Sequence, residues 1–335
     1  MALQSRADNL TRTNNGQSRR DPRLYYSTKK GRFYLGHAED TLRLPEVRRL
    51  RGKVQLVFTS PPFPLNRKKK YGNLQRRQYV LWLSTFAEEL SELLAPKGSV
   101  VIELGNAWEP GLPVFSTLPL EALLEFKSAG QFYLCQEFIC YNPAKLPTPA
   151  QWVTVKRVRA KDAFTRLWWM SRTPSPDARN TRVPKKYSED MKTLLRTKQY
   201  NAGKRPSEHV IGSTSFLHRH RGAIPPNVLR VANTASNDPY LKYCKAHDLE
   251  PHPARMPPDI AEFFIRFLTR EGDLVLDPFA GSNVTGAVSE RLGRRWLSIE
   301  PNRTYVRGSA GRFRDDEGRV RVAFSRKRKP GRTKN

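Results

Sequence analysis

The chain has 335 residues, 38% of them hydrophobic, with 60 Lys and Arg against 31 Asp and Glu and a formal net charge of +29. That length carries about two domains and a real core, and the basic excess is too large for an incidental solvated surface, so a polyanionic partner is expected, nucleic acid first. Three cysteines, Cys135, Cys140 and Cys244, exclude a disulfide framework, and no CxxC pair offers zinc spacing. No run of about 18 apolar residues is available to span a membrane. The polar start of the chain lacks the apolar stretch of a secretory signal, and the expectation is a soluble protein of the reducing cytoplasm with no membrane contact.

In chain order, residues 1–22 are polar without hydrophobic period and are expected to be disordered. Residues 23–141 form a first α/β block. Val54–Thr59 reads as a buried strand that stops at Ser60-Pro61-Pro62-Phe63, Tyr79–Leu94 has helical spacing, Pro96-Lys97-Gly98 breaks it, and Ser99–Leu104 reads as the next strand. Residues 142–252 are proline-punctuated and basic, carry Trp152, Trp168 and Trp169, and read as an insert. Residues 253–313 give the second block: a helix over Pro258–Arg270, a strand over Asp273–Asp277, a helix over Val284–Leu292 and a strand over Trp296–Glu300. Residues 314–335 read as a basic tail, whose run from Arg326 to Arg332 either adds phosphate contacts or serves solubility.

Two segments carry chemistry. In Leu274-Val275-Leu276-Asp277-Pro278-Phe279-Ala280-Gly281-Ser282 a buried strand enters a small-residue turn, where Gly281 and Ser282 let a ligand approach backbone N–H groups, and Glu300 at the end of the next strand accepts the two hydrogen bonds of a ribose diol. The turn is not GxGxxG. An acidic residue at the strand end disfavours a pyrophosphate and suits the amino group of an amino-acid-bearing cofactor, so S-adenosyl-L-methionine fits better than a dinucleotide, the alternative being an ordinary βαβ turn. In Thr59-Ser60-Pro61-Pro62-Phe63 the two prolines fix φ and offer no N–H. The loop therefore presents the Ser60 hydroxyl and the Pro61 carbonyl to a hydrogen-bond donor such as the exocyclic amine of a flipped base, with the Phe63 ring to stack on it. Alone, the tetrapeptide is as well read as a plain turn.

Together the two segments resemble the amino-methylating DNA methyltransferases, with their Pro-Pro-(Tyr/Phe) loop and Asp-Pro-Phe-x-Gly-(Ser/Thr) cofactor loop. The order, catalytic loop first with the large insert between, is the permuted order of the beta class. Further segments, Arg67–Asn73, Asn142–Pro147, Ile224–Asn227 and His252–Pro257, are similar to the cytosine-N4 enzymes of type II restriction–modification systems, and the resemblance covers most of residues 30–313. It implies a Rossmann-like S-adenosyl-L-methionine-dependent fold, a doubly wound, mostly parallel sheet in circularly permuted motif order with an inserted target-recognition region. It also implies that Ser60, Pro61, Pro62 and Phe63 form the catalytic loop, that Asp277, Phe279, Gly281 and Ser282 line the cofactor, and that Glu300 binds its ribose. The segment after His252-Pro253 would pack over the cofactor's methionine end. Relatives often have Gly-Asp before the strand that leads to the catalytic loop; here the chain has Gly36-His37, and His37 stands either at the cofactor's adenine or as a plain loop residue.

The implied reaction is direct attack of the amine on the sulfonium methyl, with no covalent intermediate and no metal. In the family, serine before Pro-Pro accompanies cytosine N4; adenine N6 stays open, as does a non-catalytic DNA-binding module. Carbon-5 methylation is disfavoured because Cys135 lacks the Pro-Cys setting, and Cys135 and Cys140 read as core thiols. The partner is double-stranded DNA. Lys156, Arg157, Arg159, Lys161, Arg219 and Arg221 are candidate base or phosphate contacts, and His209, His218 and His220 read as exposed or phosphate-contacting rather than metal-binding. A monomer suffices, and a separate cognate restriction endonuclease would form no stable complex with it.

Overall fold

A computed structural model describes residues 21–63, 76–232, 238–314, 317 and 319–325. The expectations for residues 1–20, for Arg67–Asn73 and for the run from Arg326 onward lie outside the described residues. An antiparallel hairpin, β1 (Arg23–Ser27) and β2 (Gly31–Leu35), comes first. Two one-turn helices, α1 (Ala38–Thr41) and α2 (Pro45–Arg48), lead to β3 (Val54–Thr59). Every β3 residue is buried, as in a parallel strand covered on both faces. The helix α3 (Arg76–Leu93) buries Tyr79, Leu83, Phe86, Leu90 and Leu93 along one stripe, and β4 (Leu94–Leu104) returns parallel to β3. The helix α4 (Leu118–Ala129) packs on α3 and precedes two antiparallel strands, β5 (Tyr133–Tyr141) and β6 (Phe164–Ser171).

Beyond β6 come α5 (Glu189–Thr197), the two-residue strands β7 (Gly203–Lys204) and β8 (Val210–Ile211), and β9 (Val228–Arg230). The chain then makes α6 (Pro239–Ala246), α7 (Pro258–Leu268), β10 (Leu274–Asp277), α8 (Val284–Arg291), β11 (Arg295–Glu300), α9 (Arg303–Ser309) and β12 (Ala323–Phe324). Ten strands form one sheet in the order β12-β1-β2-β11-β10-β3-β4-β6-β5-β9. Its centre, from β2 through β11, β10 and β3 to β4, is parallel. Neighbouring residues of β3 face opposite ways: Val57 packs in a cluster with Leu83, Phe86 and Leu90 of α3, whereas Leu56 and Phe58 pack with Phe264 and Leu268 of α7. The sheet is thus doubly wound, as expected.

The neighbours β3 and β10 make this fold a receptacle. From β3 the chain crosses to β4 on one side, and from β10 to β11 on the other, so the loops at their two carboxyl ends part and leave a crevice. Two findings depart from the sequence expectations. The insert is not wholly separate from the sheet, because β6 lies between β4 and β5, and β9 extends β5. Its Trp168 and Trp169 belong to the two opposite faces of the core, which is why a basic stretch carries so aromatic a run. The stretch from residue 314 is not wholly a tail, because Ala323–Phe324 adds an edge strand to β1.

Candidate active site

The loop after β10 is held by buried hydrogen bonds. The Asp277 carboxylate accepts from the Thr59 hydroxyl at the end of β3 (2.7 Å), from the Thr285 hydroxyl in α8 (2.7 Å) and from the Phe279 N–H (3.1 Å). These fill three of its roughly four acceptor sites, so Asp277 ties the two strand ends together and retains one position for a ligand. Burial pushes its carboxyl up to about 6. Asn283 adopts a left-handed conformation (φ 57°), caps α8 by accepting the Gly286 N–H (3.1 Å), accepts from the Ser298 hydroxyl (2.7 Å) and donates to the Tyr26 hydroxyl (3.1 Å). A Cβ on Gly286 would lie 2.2 Å from the Asn283 Oδ1, so that position requires glycine.

Glu300 ends β11 inside the same crevice. Its carboxylate accepts the Gly281 N–H (3.0 Å) and the Asn302 N–H (2.9 Å), and burial pushes it up to about 7. Two acceptor positions remain, the number a ribose diol requires. Gly281 lies flat against the His252 ring, where an added Cβ would meet the imidazole at 3.0 Å. The His252 segment therefore covers the loop at Gly281. His37 is exposed at the start of α1, one residue after Gly36, whose N–H donates to the Glu300 carbonyl (3.1 Å). The residues present fit S-adenosyl-L-methionine: an acidic side chain with free acceptor positions at the second strand end, and a small-residue turn beside it.

Across the crevice, Ser60 is exposed at the mouth, Pro61 is buried beneath it, Pro62 is exposed and Phe63 is half-buried. Parallel pairing of Thr59 with Ile102 brings the next residue of β4, Glu103, beside Ser60. The Glu103 carboxylate accepts from the Thr165 hydroxyl of β6 (2.9 Å), lies close enough for Ser60 to act on its ionisation, and is raised above its ordinary range by burial. Sequence reading missed Glu103 because a glutamate near the end of a buried strand has no motif of its own. Only the strand register reveals it.

Aromatic side chains join the two loops. Phe63 meets Tyr79 edge-on with ring centres 5.6 Å apart, Tyr79 is 5.7 Å from Trp82, and Phe279 of the loop after β10 packs on Trp82 (5.5 Å) and Phe86 (5.1 Å). Trp82 is held in turn by donating its indole N–H to Glu39 (2.9 Å). Arg312 clamps the loop from behind. It donates to the Ser282 carbonyl (2.6 Å) and hydroxyl (3.1 Å) and makes a bidentate pair with Asp238 (2.9 and 3.0 Å), the residue that caps α6.

The basic candidates of the insert are not equivalent. Arg159 is paired with Asp162 (3.4 Å), Lys161 donates to the Lys145 carbonyl (3.1 Å), and Lys156 lies over the Trp152 ring (4.7 Å). Arg157, Arg219 and Arg221 are exposed, as are His209, His218 and His220. Among the described residues no three His, Cys, Asp or Glu side chains gather as a metal would require, and no helix is long and apolar enough to cross a membrane.

Residues 54–311 match the DNA methylase family N6_N4_Mtase. The chain is 42% identical over 294 residues to the Type II methyltransferase M.PvuII of Proteus hauseri, covering 87% of this chain and 86% of that protein. It is 24% identical over 260 residues to the Type II methyltransferase M.HpaI of Haemophilus parainfluenzae, covering 76% and 66%. The solved structure of the PvuII DNA methyltransferase (cytosine-N4-specific) matches with a TM-score of 0.69 at 36% identity, over 90% of this chain and 91% of that one. With the Asp-Pro-Phe-Ala-Gly-Ser loop and the Ser-Pro-Pro-Phe loop meeting at one switch point, and a family match that spans both, the chain belongs to the N6/N4 DNA methylases, the S-adenosyl-L-methionine-dependent methyltransferases of DNA amino groups.

Proposed function

We propose that the protein transfers a methyl group from S-adenosyl-L-methionine to the N4 amine of a cytosine turned out of duplex DNA, protecting that DNA in a type II restriction–modification system. The observation that carries the reading is the placement of Ser60, with Glu103 behind it, across one crevice from Glu300 and Gly281. When bound, the cofactor supplies a methyl group on a positively charged sulfur. Glu300 would hold its ribose hydroxyls, the Gly281–Ser282 turn its amino-acid end, and Phe279 with Trp82 would wall it on one side.

The chain's own groups then act on the amine. With its proton directed to Glu103 beside it, Ser60 would leave its oxygen to accept one amine N–H, and the Pro61 carbonyl would accept the other. Both bonds draw the nitrogen lone pair out of conjugation with the ring and make it a better nucleophile, while Phe63 and the loop hold the base in line. The proton shed by the amine passes through Ser60 toward Glu103, whose desolvated carboxylate accepts it more readily than an exposed one. Serine at this position, rather than a carboxylate or amide, supports cytosine over adenine.

The excess of 60 basic over 31 acidic residues suits duplex DNA. One strand is modified at a time, so a monomer suffices; the cognate endonuclease acts separately, and both work in the cytoplasm. Incubation with labelled S-adenosyl-L-methionine and mixed-sequence duplex DNA, followed by nucleoside mass spectrometry, is expected to yield N4-methyldeoxycytidine. N6-methyldeoxyadenosine would overturn the base assignment, and tight DNA binding without methyl transfer would overturn the enzyme.

A further inference from the structure

Strand β5 runs parallel to β4, so its carboxyl end opens on the same edge as Ser60 and Asp277. There the chain turns sharply. Asn142 accepts the Ala144 N–H through its side chain (3.0 Å) and the Lys145 N–H through its carbonyl (3.2 Å). The far end is tied as well: the Asn142 N–H donates to the Ala163 carbonyl (2.8 Å), the Asp162 N–H to the Thr148 carbonyl (3.0 Å), and Lys161 to the Lys145 carbonyl (3.1 Å). Pro143, Pro147 and Pro149 fix three φ angles in between. The result is a braced loop at the rim of the active site.

Adjacent residues of this loop differ in exposure. Lys145 is half-buried. Leu146 is 75% exposed. A lone exposed leucine is ordinary on a protein surface; this one is carried on a braced loop at the carboxyl end of β5, next in sequence to Lys145, whose carbonyl holds the Lys161 ammonium. Turning a base out of a duplex leaves a gap in the stack, and apolar side chains carried on basic surfaces enter such gaps.

We infer that Leu146 enters the duplex beside the target nucleotide and fills the space its base vacates. This rests on the reading of the protein as a methyltransferase of a flipped cytosine. Val155 and Val158, 75% and 60% exposed on the same connection, follow the turn around buried Trp152. Val155 lies fourteen residues beyond the end of β5, past buried Trp152, whereas Leu146 lies five residues beyond it, so Val155 serves as a control.

The test uses a duplex carrying the enzyme's site, mapped beforehand by sequencing DNA modified in cells, and the same duplex with the base opposite the target cytosine removed. For Leu146→Ala, kcat/KM on the paired duplex is expected to fall roughly tenfold or more, while on the abasic duplex it stays within about twofold of wild type, because extrusion there has lost most of its cost. Leu146→Met restores the paired reaction, and Val155→Ala matches wild type on both. Equal losses on the two DNAs, or no loss on either, would overturn the wedge. A wild-type enzyme that makes no N4-methyldeoxycytidine on either DNA would instead overturn the reading on which it rests.

Discussion

The β10–α8–β11 half and the stretch between β5 and α6 treat polar groups in opposite ways. Around the cofactor loop, Asp277, Asn283, Ser298 and Glu300 are buried and each is answered from within the protein. In the insert, α5 buries none of its residues, β7 and β8 are two residues each, and the arginines at 157, 219 and 221 face solvent. A site for one fixed small molecule is worth preorganising, because its hydrogen bonds are the same at every turnover. A surface that reads and grips DNA leaves its donors open to a partner that supplies the acceptors.

The largest effect that sharpens this contrast is expected at Arg312. Arg312→Met leaves the buried Asp238 carboxylate with only the more distant Arg255 guanidinium (4.0 Å) as a charge partner and frees Ser282, so the protein should lose up to about 3 kcal/mol of stability and more than roughly tenfold in cofactor affinity. Thermal unfolding and a binding titration with S-adenosyl-L-methionine measure both. A variant that is less stable but binds cofactor as tightly as wild type would show that the clamp does not set the loop.

A second effect is one of pH. Burial raises Glu300 to about 7 from an ordinary value of 4.5, so the folded protein keeps a proton that the unfolded chain has already lost. For the cofactor-free protein, the Glu300 contribution to stability therefore falls as pH rises from 4.5 through about 7. Asp277 adds the same trend between 3.8 and about 6. Cofactor binding runs the other way, because the ribose hydroxyls need the ionised carboxylate; affinity should rise by up to about tenfold per pH unit below 7 and level off above it. Glu300→Gln should bind weakly with no such slope above pH 6, and an unchanged slope in that variant would assign the titration elsewhere.

The smallest effect belongs to the insert. Arg219→Gln with Arg221→Gln should weaken DNA binding several-fold, reduce the salt dependence by about one counterion for each phosphate that these arginines neutralise, and leave cofactor affinity alone. A salt dependence unchanged from wild type would place the DNA on another face.

Much of the cofactor half was legible because local pattern decides it: Leu274–Asp277 is a short apolar run, the Pro-Phe-Ala-Gly-Ser turn follows at once, and Glu300 closes the next apolar run. The Ser60 loop was legible for the same reason. Glu103 was not, because its meaning depends on which strand β4 pairs with and in what register. Trp82 and Phe86 look like any other members of a helical core stripe, and nothing marks them as the wall against which Phe279 rests. Arg312 is one of many arginines in a chain this basic, and only its burial against Asp238 singles it out. β6 was read as part of an insert because sequence distance from β4 hides an antiparallel return.

On this reading the two strand ends divide the work, cofactor at β10 and β11, amine chemistry at β3 and β4. Turnover and cofactor affinity measured together on Ser60→Ala and Asp277→Ala test it most directly. Ser60→Ala should lose about 10²-fold or more in kcat with its affinity for S-adenosyl-L-methionine within about twofold of wild type, and Asp277→Ala should lose that affinity. A Ser60→Ala enzyme that keeps its turnover, or that fails because it no longer binds cofactor, would contradict the division.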